Sequence, residues 1–180
     1  SANNIASGGF QTAFGGGMYD AFLVKFNGGG GRLWATYYGG TGTDYGYSSS
    51  ADAAGNVYLA GFTNSANNIA SGGFQNIYGG AGGNLSGDNF LVKFNAATGS
   101  RLWATYYGGT GDEEVSSHGL ATDASGNVYL AGDSYIPSSG IASGGFQNSL
   151  VGIENEFVVK FDPNGNRLCA TYYGQVQEQG

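Results

Sequence analysis

The phrase RLWATYYGGTG fills residues 32–42 and returns unchanged at residues 101–111; an altered third copy, RLCATYYGQ, begins at Arg167. Other phrases recur with it in fixed order. IASGGFQ places its Ile at 5, 69 and 141, FLVKF or FVVKF starts at Phe22, Phe90 and Phe157, and GNVYLAG starts at Gly55 and Gly126. Such spacings, 64 to 72 residues between copies, mark an array of like supersecondary units, each burying its faces against its neighbours.

The units read as strands. FLVKF, RLWATYY and NVYLAG are short, rich in aromatic and β-branched residues, and bounded by Gly, Asn and Asp, the composition of strands punctuated by turns. Apolar groups occupy both alternating faces, with Phe22, Val24 and Phe26 on one and Leu23 and the Lys25 stem on the other, so the sheets are expected to be covered on both sides. Helix is disfavoured by 36 glycines in 180 residues, because an interior Gly costs about 1 kcal/mol relative to Ala. DAAGN at Asp52–Asn56 and DASGN at Asp123–Asn127 supply hairpin turns in which the Asp side chain bonds backbone, and in the turn before Arg167 Pro163 presets φ while Asn164-Gly165 offers positive φ.

A repeated antiparallel unit of four short strands, apolar on both faces, fits a β-propeller blade packed between two others. A β-sandwich explains strands and turns but not near-verbatim repetition, because its two sheets offer unlike environments. A β-helix needs a shorter period.

Read together, DAFLVKFN, RLWATYYGGTGTDYGY, DAAGNVYLAGFTNS and GGFQ resemble the seven-bladed beta-propeller repeat family of secreted and surface-exposed bacterial proteins, over essentially the whole chain. The resemblance implies a blade phase. The innermost strands fall near Tyr45–Ala51 and Val115–Thr122, followed by NVYLAG and then FLVKF, with RLWATYY outermost; the IASGGFQ segment is an insertion between the second and third strands. Residues 1–44 are then a linker plus two outer strands, 45–112 a second blade and 113–180 a third. Ten strands make two and a half blades, whereas propellers close with roughly 4 to 8. The expectation is one stretch of a larger propeller, or a ring completed by oligomerisation.

The resemblance further implies an extracellular or cell-surface structural or interaction module, without catalysis or cofactor. Its partners are other blades of the same or a longer chain, and surface proteins or glycans. Charge agrees, since a net −7 with 6 spread Lys and Arg suits neither nucleic acid nor anionic membrane. No apolar run approaches the roughly 18 residues of a spanning helix.

Function on repeat scaffolds concentrates in variable loops. From the Phe of GGFQ to the next repeated Phe the chain runs 12, 16 and 11 residues (Phe10 to Phe22, Phe74 to Phe90, Phe146 to Phe157). Tyr19, Tyr78, Asn84 and Asp88 in these loops offer rings, an amide and a carboxylate suited to sugars, so a carbohydrate-binding module is the alternative. Asp112, Glu113 and Glu114, with His118 nearby, form the one dense acidic cluster: a weak candidate for a cation, or for a hydrolase or lyase centre. Solvated turn charge is the favoured explanation, because the equivalent stretch GTDYGY of the first repeat has one carboxylate and no His. Cys169 stands where the other copies have Trp34 and Trp103, and reads as a thiol filling an indole's place.

Overall fold

The computed structural model describes residues 5–80, 87–109, 119–135, 140–152 and 154–174. All elements among them are strands: β1 (Ala21–Phe26), β2 (Arg32–Tyr38), β3 (Asp44–Ala51), β4 (Val57–Thr63), β5 (Asp88–Phe94), β6 (Arg101–Tyr107), β7 (Leu120–Thr122), β8 (Val128–Tyr135), β9 (Glu154–Phe161) and β10 (Arg167–Tyr173). They form a β1-β2 pair and two four-stranded sheets, β3-β4-β5-β6 and β7-β8-β9-β10, antiparallel throughout. The fold is all-β, with blades in the expected strand order. The third unit's first strand is described from Leu120, and the residues expected to begin it lie outside the described segments.

Local chemistry sets the turns. Asn56 N donates to Asp52 Oδ1 at 2.9 Å and Gly55 N to Asp52 O at 2.8 Å, with Gly55 at φ 79°. The same bonds recur at Asp123 and Asp162. The third strand slips register against the fourth at one place in each unit, a bulge that leaves Leu33, Leu102 and Leu168 unpaired on the fourth strand.

The IASGGFQ segment departs from the expectation of an insertion loop. Ser71 N donates to Ala104 O at 2.9 Å and Ala104 N returns to Ser71 O at 2.8 Å, while Tyr106 N bonds Gln75 O at 2.9 Å. Equivalent bonds tie Ser7 and Gln11 to β2, and Ser143 and Gln147 to β10. The segment is a strap along the free edge of each outermost strand, covering backbone groups that would otherwise invite foreign strands. A β-carbon on Gly73 would sit 2.7 Å from Ala104 O, so the double glycine is what lets the strap lie this close.

Blades stack through one interface used twice. Trp34 packs on Phe94 (6.1 Å between ring centroids) and Tyr38 on Phe90 and Phe94 (5.1 and 5.7 Å). One unit on, Trp103 packs on Phe161 (6.5 Å) and Tyr107 on Phe157 and Phe161 (5.3 and 5.6 Å). Polar contacts repeat as well. Trp34 Nε1 donates to Ala96 O at 3.2 Å and Trp103 Nε1 to Pro163 O at 2.9 Å; Tyr38 and Tyr107 donate their hydroxyls to Ile69 O and Ile141 O. Arg101 lies 4.4 Å from the Phe10 ring centre and Arg167 4.3 Å from that of Phe74. Each blade therefore has a trailing face, bearing the tyrosine, the strap Phe and an indole (in the third, Cys169 in its place), and a leading face, bearing two Phe and a turn that can receive an indole. Both buried core clusters straddle such junctions.

Candidate functional site

Among the described residues, no blade lies against the leading face of the β1-β2 pair. Phe22 and Phe26 are 56% and 57% exposed, whereas Phe90, Phe94 and Phe161, their counterparts, are 0% exposed. Ile5, Phe14, Met18, Tyr19, Asp20, Phe22 and Tyr37 line a hollow of about 300 Å³ on this side. In the second unit the counterparts Ile69, Phe90 and Tyr106 are buried in a cluster with Trp34 and Tyr38 of the unit before. The hollow thus has the shape and chemistry of a blade-receiving surface.

A carboxylate floors it. Asp20 Oδ2 accepts from Gly15 N at 2.6 Å and from Gln11 Nε2 at 3.2 Å. Asp88, one unit on, accepts from Gly79 N at 2.9 Å and Gln75 Nε2 at 3.2 Å. In the third unit the position is Asn155, whose Oδ1 accepts from Val151 N (2.8 Å) and Gln147 Nε2 (3.0 Å) while its Nδ2 donates to Val151 O (2.8 Å). These residues lock the strap's exit loop to the third strand. The Oδ1 atoms of Asp20 and Asp88 are buried with no hydrogen-bond partner among the described residues. Burial raises both carboxyls, Asp88 to about 6, against the pull of their backbone donors; the nearby Asp44 carboxylate adds to the rise at Asp20. Asp44, also raised by burial, is held by the Thr63 and Ser65 hydroxyls and Gly40 N. An amide serving in the third copy shows that the lock does not require charge.

Beside the hollow runs a row of exposed tyrosines. Tyr19 lies 5.5 Å from Tyr45, and Tyr45 stacks on Tyr47 at 6.0 Å with 18° between planes. All three rings are solvent-accessible.

The residues picked out in the sequence fare differently. Tyr19 joins the hollow and the tyrosine row. Tyr78 is half-buried, packed 5.7 Å from Tyr106 at the edge of the core, and Asp88 is fully buried; neither presents itself as a loop ligand group. Asn84 and the cluster of Asp112, Glu113, Glu114 and His118 lie outside the described residues. Among the described residues no three His, Cys, Asp or Glu side chains gather as a metal would need. Sequence reading missed Gln11, Gln75 and Gln147, although their identity in all three copies was a visible signal. It also missed the exposure of Phe14, Met18 and Phe22, because burial depends on which faces meet.

Residues 102–137 match the family model of the SBBP beta-propeller repeat. No curated protein matches the chain.

Proposed function

We propose that this array of beta-propeller repeats is a non-catalytic structural and interaction module, secreted or at the cell surface, that engages its partner non-covalently through the uncovered leading face of β1-β2. The observation that carries this reading is the hollow around Phe22, where large apolar side chains surround a single carboxyl. Exposed apolar area rimmed by polar groups marks interaction surfaces. The test is binding of the labelled chain to intact producing cells and to their envelope fraction. Wild type binds and Met18→Asp loses binding, with unchanged circular dichroism; equal binding by both overturns the assignment of the surface. Protease access to the native protein on intact cells tests its location.

The tyrosine row favours a second reading, carbohydrate binding. Flat exposed rings present π-faces to the C–H faces of sugars, and Tyr19, Tyr45 and Tyr47 form such a platform. Glycan-array binding abolished by Tyr45→Ala supports this reading; release of new reducing ends from any bound glycan would instead make the module an enzyme.

A further inference from the structure

We propose that the leading face of β1-β2 receives the trailing face of a second copy of this chain, so that the protein associates head to tail. This rests on the reading of that face as an interaction surface and names its occupant.

The argument is continuity with an interface the chain already makes twice. Each junction has two unlike halves, and the β7-β8-β9-β10 sheet carries a trailing half that no other blade covers among the described residues. Tyr173 is 70% exposed where Tyr38 and Tyr107 are 0% and 1% exposed. Phe146 is 88% exposed, whereas Phe10 and Phe74, each beneath an arginine of the following blade, are 40% and 42% exposed. The leading half on β1-β2 supplies the outer-strand part of what this trailing half lacks. Phe22 and Phe26 stand ready for Tyr173, Ile5 O occupies the place of the Ile69 and Ile141 carbonyls that accept from Tyr38 and Tyr107, and Arg32 occupies the place of Arg101 and Arg167. The receiving turn is preformed as well. A β-carbon on Gly99 or Gly165 would sit 2.7 or 2.8 Å from the indole of Trp34 or Trp103; Gly30, at φ 79°, has nothing within 4 Å. Its cradle is open.

The match has one defect, which makes the idea testable. Cys169 stands where the other trailing faces carry Trp, so a docked copy brings a thiol, not an indole, over Gly30. The association is accordingly weaker than the intrachain junctions, and Cys169→Trp tightens it. Being heterologous, the contact propagates into chains or closes into rings.

The experiment is analytical ultracentrifugation of the 180-residue chain over a range of concentrations under reducing conditions, which exclude a disulfide. Wild type sediments increasingly fast as concentration rises, and Cys169→Trp reaches the same midpoint at a concentration lower by about tenfold or more, as expected of a Trp anchor. Phe22→Asp and Tyr173→Asp change residues already exposed in the single chain, so circular dichroism stays that of wild type. Each variant alone remains monomeric. Mixed, they form 1:1 dimers and nothing larger, because each retains one good face. Monomers at every concentration for both wild type and Cys169→Trp overturn the proposal, as does self-association of either blocked variant or failure of the mixture to pair. Such results leave cell and envelope binding through the hollow standing, since Met18→Asp reads that separately.

Discussion

If the indole-over-glycine contact holds blades together, adding one methyl group should discriminate between filled and empty cradles. Gly99, Gly165 and Gly30 all have positive φ, at 65°, 86° and 79°, so Ala at any of them meets a left-handed backbone worth about 1–2 kcal/mol. At Gly99 and Gly165 the methyl also meets an indole at 2.7 or 2.8 Å, and overpacking adds about 1–3 kcal/mol. Gly30→Ala meets nothing within 4 Å. The expected losses are therefore about 1–2 kcal/mol for Gly30→Ala and about 2–5 kcal/mol for the other two. For a chain of this size, thermal midpoints fall by roughly 2–4 °C per kcal/mol. Denaturant and thermal melts give the ranking, and fluorescence gives the location. The chain has 2 Trp, so in a Trp103→Phe background Trp34 emits alone; Gly99→Ala red-shifts that emission and Gly165→Ala leaves it in place. Equal destabilisation by Gly30→Ala and Gly99→Ala, or a red shift of Trp34 from Gly165→Ala, would refute the reasoning.

Other expectations follow from single residues. Asp88, raised by burial from 3.8 to about 6, binds its proton more tightly folded than unfolded, so its contribution is complete below about pH 4 and is lost as pH rises to about 6; Asp88→Asn, copying Asn155, removes that slope and stabilises by about 1–3 kcal/mol at pH 7, read from urea midpoints across pH. Lys93→Met breaks a nearly inaccessible 3.2 Å pair with Asp52 and costs about 3 kcal/mol, whereas Lys160→Met, at a more exposed 3.7 Å pair with Asp123, leaves the midpoint of the same urea titrations close to that of wild type. Tyr38→Phe deletes a buried hydroxyl that donates to Ile69 O and lowers stability by about 1 kcal/mol, measured by calorimetry.

The strand pattern, the Asp-capped turns and the blade order were legible because they rest on local chemistry and on repetition. A phrase such as RLWATYY can be copied only if its surroundings are copied too, and Trp34 and Trp103 do meet the same partners. The strap was not legible. Its bonds to β2, β6 and β10 run through backbone at Ser7, Ser71 and Ser143, and small residues beside glycines give no periodic signal. The carboxylate lock was half visible: Asp20, Asp88 and Asn155 each stand two residues before the repeated Phe. The differing loop lengths ahead of them hid the correspondence, and drew Asp88 into a list of ligand groups when its neighbours make it part of the scaffold.

Exposure at the two uncovered faces is unequal in kind, and that inequality bears on where partners bind. Arrays of repeats usually stay soluble by making an outward face polar. The trailing face has lost only its largest apolar group, with Cys169 in place of Trp, while Phe146 and Tyr173 remain exposed. The leading face has not moved that way in its outer strands, since Phe22, Phe26 and the open Gly30 cradle retain the phenylalanines and the turn that meet Trp34 and Trp103 elsewhere. A face kept complete for an indole, at the expense of exposed phenylalanines, is the one whose occupancy changes the stability of the chain most. Ligand-induced shifts in melting temperature should accordingly track Phe22 and Phe26, while substitutions in the Tyr78 loop leave them unchanged.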